Sequence, residues 1–255
     1  MADATNASLP GDVDTMAYIS HELSTPLTAM RWNAELLRLG KMTKPLDAEQ
    51  QKLVDEILVG VNRMSDLVND IHESSWLERN KFADGPVPTS LTELVATVQA
   101  QQQAAMTAKS LACTVQADPA LPPVVARAST LTLIVHNLLS NAVKYTPAGS
   151  VTILLRPATA EEAAKAPAPA GASIFLSIAD TGMGIPAAEQ AQVFQKFFRG
   201  SNARAADIEG TGLGLYIVWL ALQKLGGAAW FTSAEQQGST FSVVLPLQRE
   251  ADSVH

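Results

Sequence analysis

The sequence is poor in the residues that build disulfides, metal clusters and membrane spans. Its 255 residues include one cysteine, Cys113, which excludes an internal disulfide and a cysteine-rich zinc site. No run of ~18 apolar residues is present, so the sequence predicts no transmembrane helix. The first residues lack the basic and then apolar layout of a signal peptide. We therefore expect a cytoplasmic protein, or the cytoplasmic part of a larger one.

Basic residues are also scarce. Lysine and arginine total 18 against 25 aspartates and glutamates, which gives a formal net charge of -7. This balance argues against a broad nucleic-acid-binding surface. Hydrophobic residues make up 47% of the chain, enough for a sizeable core, and the length predicts one to two domains.

The N-terminal part predicts two helices joined by a turn at Gly40–Pro45. Apolar or small residues recur at steps of three and four, which is typical of helices that pair lengthwise. The first helix carries Met16, Ser20, Leu23, Leu27, Met30, Ala34 and Leu37, and the second Leu53, Ile57, Gly60, Met64, Leu67 and Ile71. A single hairpin cannot bury so wide a stripe, so we expect a homodimer with a four-helix bundle.

The chain is then predicted to divide into a helical hairpin (1–80), a linker (81–88), an α/β domain (89–248) and a short tail (249–255). Strands are expected at 111–116, 124–126, 151–155, 174–179, 228–233 and 240–245, and helices at 90–108, 129–144 and 212–225. The fold class is α+β, with the hairpin followed by an α/β sandwich whose mixed sheet has helices on one face. The alanine- and proline-rich segment 157–172 predicts a long, poorly ordered hairpin loop.

The first chemical motif is the string Ser20–Leu27 on the first helix. His21 flanks the apolar seam, and a neutral imidazole is a competent nucleophile. Glu22 beside it can accept a proton. Pro26 cannot donate to the carbonyl of Glu22, so a bend is expected below the histidine. A plain surface histidine is the alternative.

The second motif is a helical face. Asn137, Asn141, Lys144 and Tyr145 return to one side at steps of four and three. The two carboxamides can offer oxygens to Mg²⁺, which binds few protein ligands beside substrate phosphates. Lys144 can neutralise phosphate and Tyr145 can lie against a base. An ordinary helix surface with a core tyrosine is the alternative.

Two glycine-rich segments follow. Asp180, Gly182, Gly184 and Ile185 come at the end of an apolar strand, where a carboxylate suits a purine amino group. The second segment opens a helix, where N–H groups and the positive dipole end attract phosphate. It comprises Gly210, Thr211, Gly212, Leu213, Gly214 and Leu215. Each could also be an ordinary turn, and neither matches a P-loop or Rossmann pattern.

The string around His21 resembles the phosphoacceptor box of sensor histidine kinases, with Ser24 where a basic residue is common. The asparagine face resembles their asparagine box, whose second asparagine, here Asn141, binds Mg²⁺. The two glycine segments resemble the boxes of the Bergerat ATP-binding fold, in which Asp180 contacts the adenine amino group and residues 210–215 close over phosphates. Residues 194–199 resemble the family's phenylalanine box, and residues 200–209 would form a lid.

Further roles are implied by the same resemblance. Arg199 and Arg204 fall where the family places basic residues against the γ-phosphate. Residues 238–241 resemble the last glycine box, which adds Thr240 to the nucleotide site. The Glu22-to-Thr25 spacing resembles a pattern associated with phosphatase activity, which assigns Thr25 to a water-positioning role. As an alternative, Thr25 merely caps the bend before Pro26.

The expected activity is autophosphorylation of His21 by ATP with Mg²⁺, followed by phosphotransfer to a response regulator receiver domain in a two-component phosphorelay. An ATP-driven clamp of the topoisomerase or chaperone kind shares the pocket but needs no His21 box. Such enzymes typically use a glutamate on the asparagine helix, where this chain has Asn137. A nucleotide-binding dimer scaffold without phosphotransfer is the other alternative.

Overall fold

The computed structural model describes residues 12–39, 45–79, 85–167 and 172–247, with backbone alone for residues 12–22. These residues divide into two compact units. The first is the helical region up to Arg79 together with Glu209–Thr211, and the second comprises 80–208 and 212–255. The predicted turn residues 40–44 and most of the predicted linker lie outside the described residues. Within the described part of the chain, no helix is long and apolar enough to cross a membrane.

The first unit is a helical hairpin of α1 (Asp12–Arg38) and α2 (Ala48–Arg79), which confirms the two predicted helices. The helix α1 continues through Pro26. Two clusters are buried between the helices: Leu27 with Val61 and Val68, and Ala34 with Val54 and Leu58. Other apolar side chains of the predicted seam stay exposed in the single chain: Leu23, Met30, Leu37, Leu53, Ile57, Met64 and Leu67.

The second unit is built on a five-stranded mixed sheet with strand order β2-β4-β5-β7-β6. Its strands are β2 (Ala112–Ala117), β4 (Ser150–Pro157), β5 (Ser173–Asp180), β6 (Ala228–Ser233) and β7 (Ser239–Pro246). The β2–β4 pair is parallel and the other pairs are antiparallel. A separate antiparallel pair joins β1 (Val87–Thr89) to β3 (Val124–Ala126). The strand β1 was not predicted from the sequence, and its residues Val87 and Pro88 fall in the predicted linker.

Three long helices of the second unit pack together and against one face of the sheet: α3 (Leu91–Ala108), α4 (Ala128–Tyr145) and α7 (Gly214–Leu225). Ser90 begins α3, since its hydroxyl accepts the N–H of Glu93. Gly226 ends α7 in the left-handed conformation. Apolar side chains of alternate strand positions, such as Ile153, Leu176 and Val243, are fully buried beneath the helices. The predicted α/β sandwich is therefore confirmed.

The segment between β4 and β5 differs from its prediction. It does connect a hairpin, but residues 158–167 are built into the fold, and only 168–171 lie outside the described residues. Thr159 and Glu162 form a capping box around the short helix α5 (Ala160–Ala163). Arg156 holds Glu162 through two hydrogen bonds of 2.7 and 2.6 Å. The prediction of a poorly ordered loop was wrong here because alanine-rich composition concealed this polar clamp.

Candidate nucleotide site

A cavity of about 70 Å³ lies in the second unit, between α4, the end of β5 and the segment that follows β5. Its apolar lining comprises Ala142, Met183, Ile185, Val193, Phe198, Ala203, Leu215 and Phe241. Its polar lining comprises Asn141, Tyr145, Asp180, Arg199, Asn202 and Ser239, with Gly184 and Gly200 completing the wall. Mostly apolar walls with a few convergent polar groups are typical of a small-molecule site.

The carboxylate of Asp180 stands at the C-terminal end of β5. Its Oδ1 accepts the backbone N–H groups of Gly182 (2.8 Å) and Ser239 (3.3 Å), which fixes the carboxyl group in one orientation. Burial raises the pKa of Asp180, and these two hydrogen bonds oppose the rise. With Oδ1 held by the backbone, Oδ2 is placed to accept from a ligand amino group.

Gly184 shapes the wall beside Asp180. Its φ is +63°, and a Cβ on it would lie 1.9 Å from the carbonyl oxygen of Ala234. Only glycine fits both the conformation and the space. Next to it, the N–H of Ile185 donates to the Ser233 hydroxyl at 2.9 Å. The glycine-rich turn is thus fixed on the β6–β7 connection and brings Ile185 to the cavity.

The two asparagines of α4 differ in their surroundings. Asn141 lines the cavity, whereas Asn137 is buried and its Nδ2 donates to the Leu133 carbonyl at 2.9 Å. This bond turns the Oδ1 of Asn137 towards Gly214, the first residue of α7. Among the described residues, no three aspartate, glutamate, histidine or cysteine side chains form a metal cluster. A Mg²⁺ ion that takes most of its ligands from substrate phosphates and water needs few protein ligands, and carboxamide oxygens can serve as those ligands.

Cationic side chains stand near the phenol of Tyr145. The Lys144 ammonium lies 5.6 Å from its ring centroid. Burial raises the pKa of Tyr145, and the nearby Arg199 charge opposes that rise. Arg199 itself donates to the Ile208 carbonyl, while its Nε is buried with no hydrogen-bond partner among the described residues. A positive charge with an unused donor is therefore present at the cavity wall.

The short helix α6 (Ser201–Ala205) covers the cavity. Asn202 Nδ2 donates to the Gly184 carbonyl at 2.9 Å, and the Ser201 N–H donates to Glu189 at 2.9 Å. Ala203 is buried against the cavity. This is a closed position of α6, because Asn202 and Ala203 lie against the cavity and narrow the space for a ligand. The sequence predicts a lid at residues 200–209 but gives no sign of these contacts, because Asn202 and Ala203 belong to no recognisable pattern.

Most of the sequence-predicted site is brought together. Seven predicted residues line the cavity: Asn141, Tyr145, Asp180, Gly184, Ile185, Arg199 and Leu215. Four other predicted residues lie next to this lining. Lys144 lies beside Tyr145, the N–H of Gly182 donates to Asp180, and Asn137 contacts Gly214. Gly212 packs against the backbone of Phe197 and Phe198, and Leu213 is buried at the start of α7.

Other predicted residues are not brought to the cavity. Thr240 lies on the opposite side of the sheet, because successive strand residues point to opposite faces and it is Ser239 that reaches the cavity. Arg204 is exposed in the last turn of α6, near Glu189. Gly210 and Thr211 group with the first unit.

The predicted phosphoacceptor motif lies on α1. His21 and Glu22 are helical, but their side chains lie outside the described residues. Thr25 is exposed one turn further along the helix. Immediately beyond it, the Thr28 hydroxyl donates to the Ser24 carbonyl at 2.8 Å. The histidine motif and the cavity therefore belong to different units of the chain.

Two family models match the two units. Residues 13–80 match the His Kinase A (phospho-acceptor) domain. Residues 126–249 match the histidine kinase-, DNA gyrase B- and HSP90-like ATPase. The segment between them, which includes β1, α3 and β2, is matched by neither.

Individual relatives agree with the family models. The chain is 30% identical to the adaptive-response sensory kinase SasA of Synechocystis over 239 residues, which is 92% of this chain and 59% of that protein. It superposes on full-length ShkA in complex with AMPPNP with a TM-score of 0.70 and 27% identity, over 91% of this chain and 45% of that one. The mycobacterial sensor histidine kinase MprB is 30% identical with a TM-score of 0.50, over 63% of this chain and 97% of that one. The chain thus spans only part of the curated relatives that it matches, between about half and three fifths for the first of them.

Proposed function

The chain belongs to the sensor histidine kinases, and on that premise we propose that it is an ATP-dependent autokinase whose phosphoacceptor is His21. One observation carries the proposal: Asp180, Asn141 and Tyr145 converge on a single cavity in the unit that matches the ATPase family, while His21 lies in the other unit. A donor site and an acceptor site on separate units are what an autokinase requires. We further propose a hairpin domain at 1–80 and a tail at 249–255, while the domain predicted at 89–248 begins at Val87 because β1 pairs with β3, which shortens the predicted linker 81–88 to 81–86.

In this proposal the cavity binds the nucleotide base. Asp180 Oδ2 accepts a hydrogen bond from the adenine amino group, and Met183, Ile185 and Phe241 exclude water from the base. The N-terminal end of α7 faces the phosphates with its positive dipole end. Arg199 and Lys144 add positive charge, which stabilises the transition state of phosphoryl transfer.

Magnesium would be held by the Oδ1 atoms of Asn141 and Asn137 together with phosphate oxygens. When bound, the ion would neutralise the phosphate charge. The chain's own contribution is orientation, because the Asn137–Leu133 hydrogen bond turns the Oδ1 of Asn137 towards Gly214 at the start of α7.

The chemical step is an in-line displacement at the γ-phosphorus. An imidazole nitrogen of His21 forms the new N–P bond as the bond from the γ-phosphorus to the bridging oxygen breaks, and ADP leaves. Glu22 accepts the proton from the imidazole. We propose that the phosphoryl group then passes to an aspartate of a response regulator receiver domain in the cytoplasm.

Incubation with γ-labelled ATP and Mg²⁺ tests the autokinase. We expect label on the protein that is acid-labile and stable to base. His21→Ala should take up no label while nucleotide affinity is retained, because His21 is not in the unit that binds the nucleotide. His136→Ala, an exposed histidine on α4, is the matched control and should label normally. Free phosphate without labelled protein would instead indicate a clamp ATPase, and neither product would indicate a scaffold.

The magnesium assignment is tested separately. Nucleotide affinity of the wild type should rise when Mg²⁺ is added, and Asn141→Ala should lose most of that increase, about tenfold. An Asn141→Ala protein with an unchanged Mg²⁺ dependence would remove Asn141 from the metal site.

We also propose that the enzyme dephosphorylates its regulator, with Thr25 positioning the attacking water. A hydroxyl both donates and accepts, and Thr25 is exposed on α1. Thr25→Ala should keep autophosphorylation and lose regulator dephosphorylation. Thr28→Val, a change in an exposed threonine of the same helix, is the control. Equal loss of both activities in Thr25→Ala would indicate a role in folding.

A further inference from the structure

The C-terminal end of α4 is where the helix meets the nucleotide cavity. The last four carbonyl groups of any α-helix have no partner within the helix and must be satisfied from outside. In α4 these carbonyls belong to residues 142–145, the same turn that carries Lys144 and Tyr145. Whatever satisfies them also sets where Tyr145 stands in the cavity wall.

Lys109, which follows the C-terminal end of α3, contacts two of these four carbonyls and also that of Thr146. Its ammonium nitrogen lies 2.8 Å from the Val143 carbonyl oxygen, 2.9 Å from that of Lys144 and 3.4 Å from that of Thr146. An ammonium group has three donors, and all three are used. Its positive charge also stands at the negative end of the helix dipole.

The remaining carbonyls of this turn are satisfied by neighbours. The Thr146 hydroxyl, which is fully buried, donates to the Ala142 carbonyl at 2.7 Å. The Met183 N–H donates to the Tyr145 carbonyl at 3.1 Å. Gly182 permits this approach, since a Cβ on it would lie 2.3 Å from the same oxygen. The end of α4 is therefore attached to the turn that follows Asp180.

These contacts make one continuous connection from α3 to both sides of the cavity. We propose that Lys109 is a positioning residue of the nucleotide site, which fixes Tyr145 and, through the Tyr145–Met183 hydrogen bond, the turn beside Asp180. The proposal deepens the proposed function and rests on it. Lys109 lies in the segment that neither family model matches. Partial burial lowers the pKa of Lys109, because removal from water disfavours the charged ammonium.

Three substitutions separate charge, donors and packing. Lys109→Met keeps the aliphatic stem and leaves three carbonyls without their donor. Lys109→Gln keeps a neutral donor, and Lys109→Arg keeps both charge and donors. We expect Lys109→Met to raise the KM for ATP about tenfold, the effect of leaving one or two buried acceptors unsatisfied, with kcat changed less than about threefold. The KM of Lys109→Gln should fall between those of the wild type and Lys109→Met, and Lys109→Arg should restore most of the affinity for ATP.

Two controls identify a merely structural effect. Val98→Ala removes a buried side chain from the same helix α3, about three turns before Lys109. Lys165→Met removes a lysine that stands over Trp230, outside the cavity lining. Both should retain the wild-type KM for ATP, even where Val98→Ala lowers the melting temperature. Direct titration with ADP should reproduce the ranking.

The proposal is overturned if Lys109→Met binds ATP like the wild type, or if Val98→Ala loses as much affinity at an equal loss of melting temperature. If Lys109→Met does not fold, the KM for ATP of Lys109→Gln is compared with that of Lys109→Arg. Equal wild-type values in both variants would then overturn the proposal. Failure of the proposed function is distinguishable, because in that case the wild-type protein itself takes up no label.

Discussion

The two units of this chain treat their apolar side chains in opposite ways. In the α/β unit, large side chains such as Leu131, Ile134 and Leu139 are completely buried within a single copy. In the helical unit, Met30 and Ile57 of the seam are each 52% exposed, although Ala34 and Val54 beside them are buried. The α/β unit buries its core within one copy, whereas the hairpin buries one of its two apolar stripes and leaves the other exposed to solvent.

The exposed stripe has a definite position. On α2, Leu53, Ile57 and Met64 lie on one side of the helix, next to the stripe that packs on α1, and Val59 lies on the opposite side. A continuous exposed apolar stripe marks an interaction surface. Its repeat of three and four residues fits a second copy of the same hairpin, as in the homodimer that the sequence predicts.

The largest effect should come from a charge in that stripe. Ile57→Asp would remove the burial of two isoleucines per dimer and place a carboxylate in each copy of the interface. We expect the dimer dissociation constant to rise about a thousandfold or more. Light scattering across a concentration series measures it. Val59→Asp is the matched control, and a monomeric wild type at micromolar concentration would contradict the bundle.

A core substitution in the α/β unit should lower stability without affecting dimerisation, the reverse of Ile57→Asp. Leu139 is fully buried on the inner side of α4. Leu139→Ala should lower the free energy of unfolding by about 2–5 kcal/mol and leave the dimer mass unchanged. Calorimetry and light scattering on the same sample check both halves. Dissociation of the dimer in this variant would show that the two units do not complete their cores independently.

The Arg156–Glu162 pair offers a smaller and pH-dependent effect. The two hydrogen bonds from Arg156 lower the pKa of Glu162 from 4.5 to about 2. The pair's contribution is therefore complete above the unfolded-state pKa of 4.5 and is lost as the pH falls towards 2. Glu162→Gln should cost about 1 kcal/mol at pH 7, because both side chains are partly exposed and solvent weakens the pair.

Urea unfolding of the wild type and Glu162→Gln between pH 7 and pH 3 measures this difference. It should shrink as the pH falls below 4.5, and Glu161→Gln, in the adjacent glutamate, should show no such trend. A difference that stays constant with pH would mean that the two hydrogen bonds do not stabilise the ionised form.

The smallest effect should appear at α6. Asn202→Asp keeps an oxygen for the Ala203 N–H but removes the donor to the Gly184 carbonyl. Losing one hydrogen bond of about 1 kcal/mol from the closed position should speed nucleotide association by about fivefold. Stopped-flow mixing with a fluorescent ATP analogue measures the rate. Slower association would show that Asn202 serves the bound nucleotide and not the closed state.

Sequence patterns predicted the elements with strong periodicity and missed those set by tertiary contacts. The bounds of β3 and β6 agree with prediction, and those of α4 and α7 differ by one or two residues. Their apolar positions repeat with the period of the element, so the signal is local. The helices α5 and α6 are too short to show any period, and their positions depend on Glu162 and Asn202 contacting other segments.

The candidate site shows the same division. Asp180 and Asn141 could be predicted because each belongs to a motif in which its residue type indicates what it binds. Ser239 and Thr240 are adjacent hydroxyl residues, and only the register of β7 on β5 determines which of them reaches the cavity. Lys109 carried no signal, because a lysine just after a helix is usual in any sequence.

The pairing of β5 with β7 has a consequence for synthesis. Ser173 pairs with Pro246 and Asp180 with Ser239, so β5 acquires this neighbour only after residue 246 has left the ribosome. Every contact of the α1–α2 hairpin is available much earlier. Because domains fold as units, starting with those nearest the N-terminus, the emerging chain presents α1 well before the cavity beside β5 and β7 is complete. Under the proposed function, a nascent chain would therefore carry the acceptor histidine early and could not phosphorylate itself until β7, the last strand, is made.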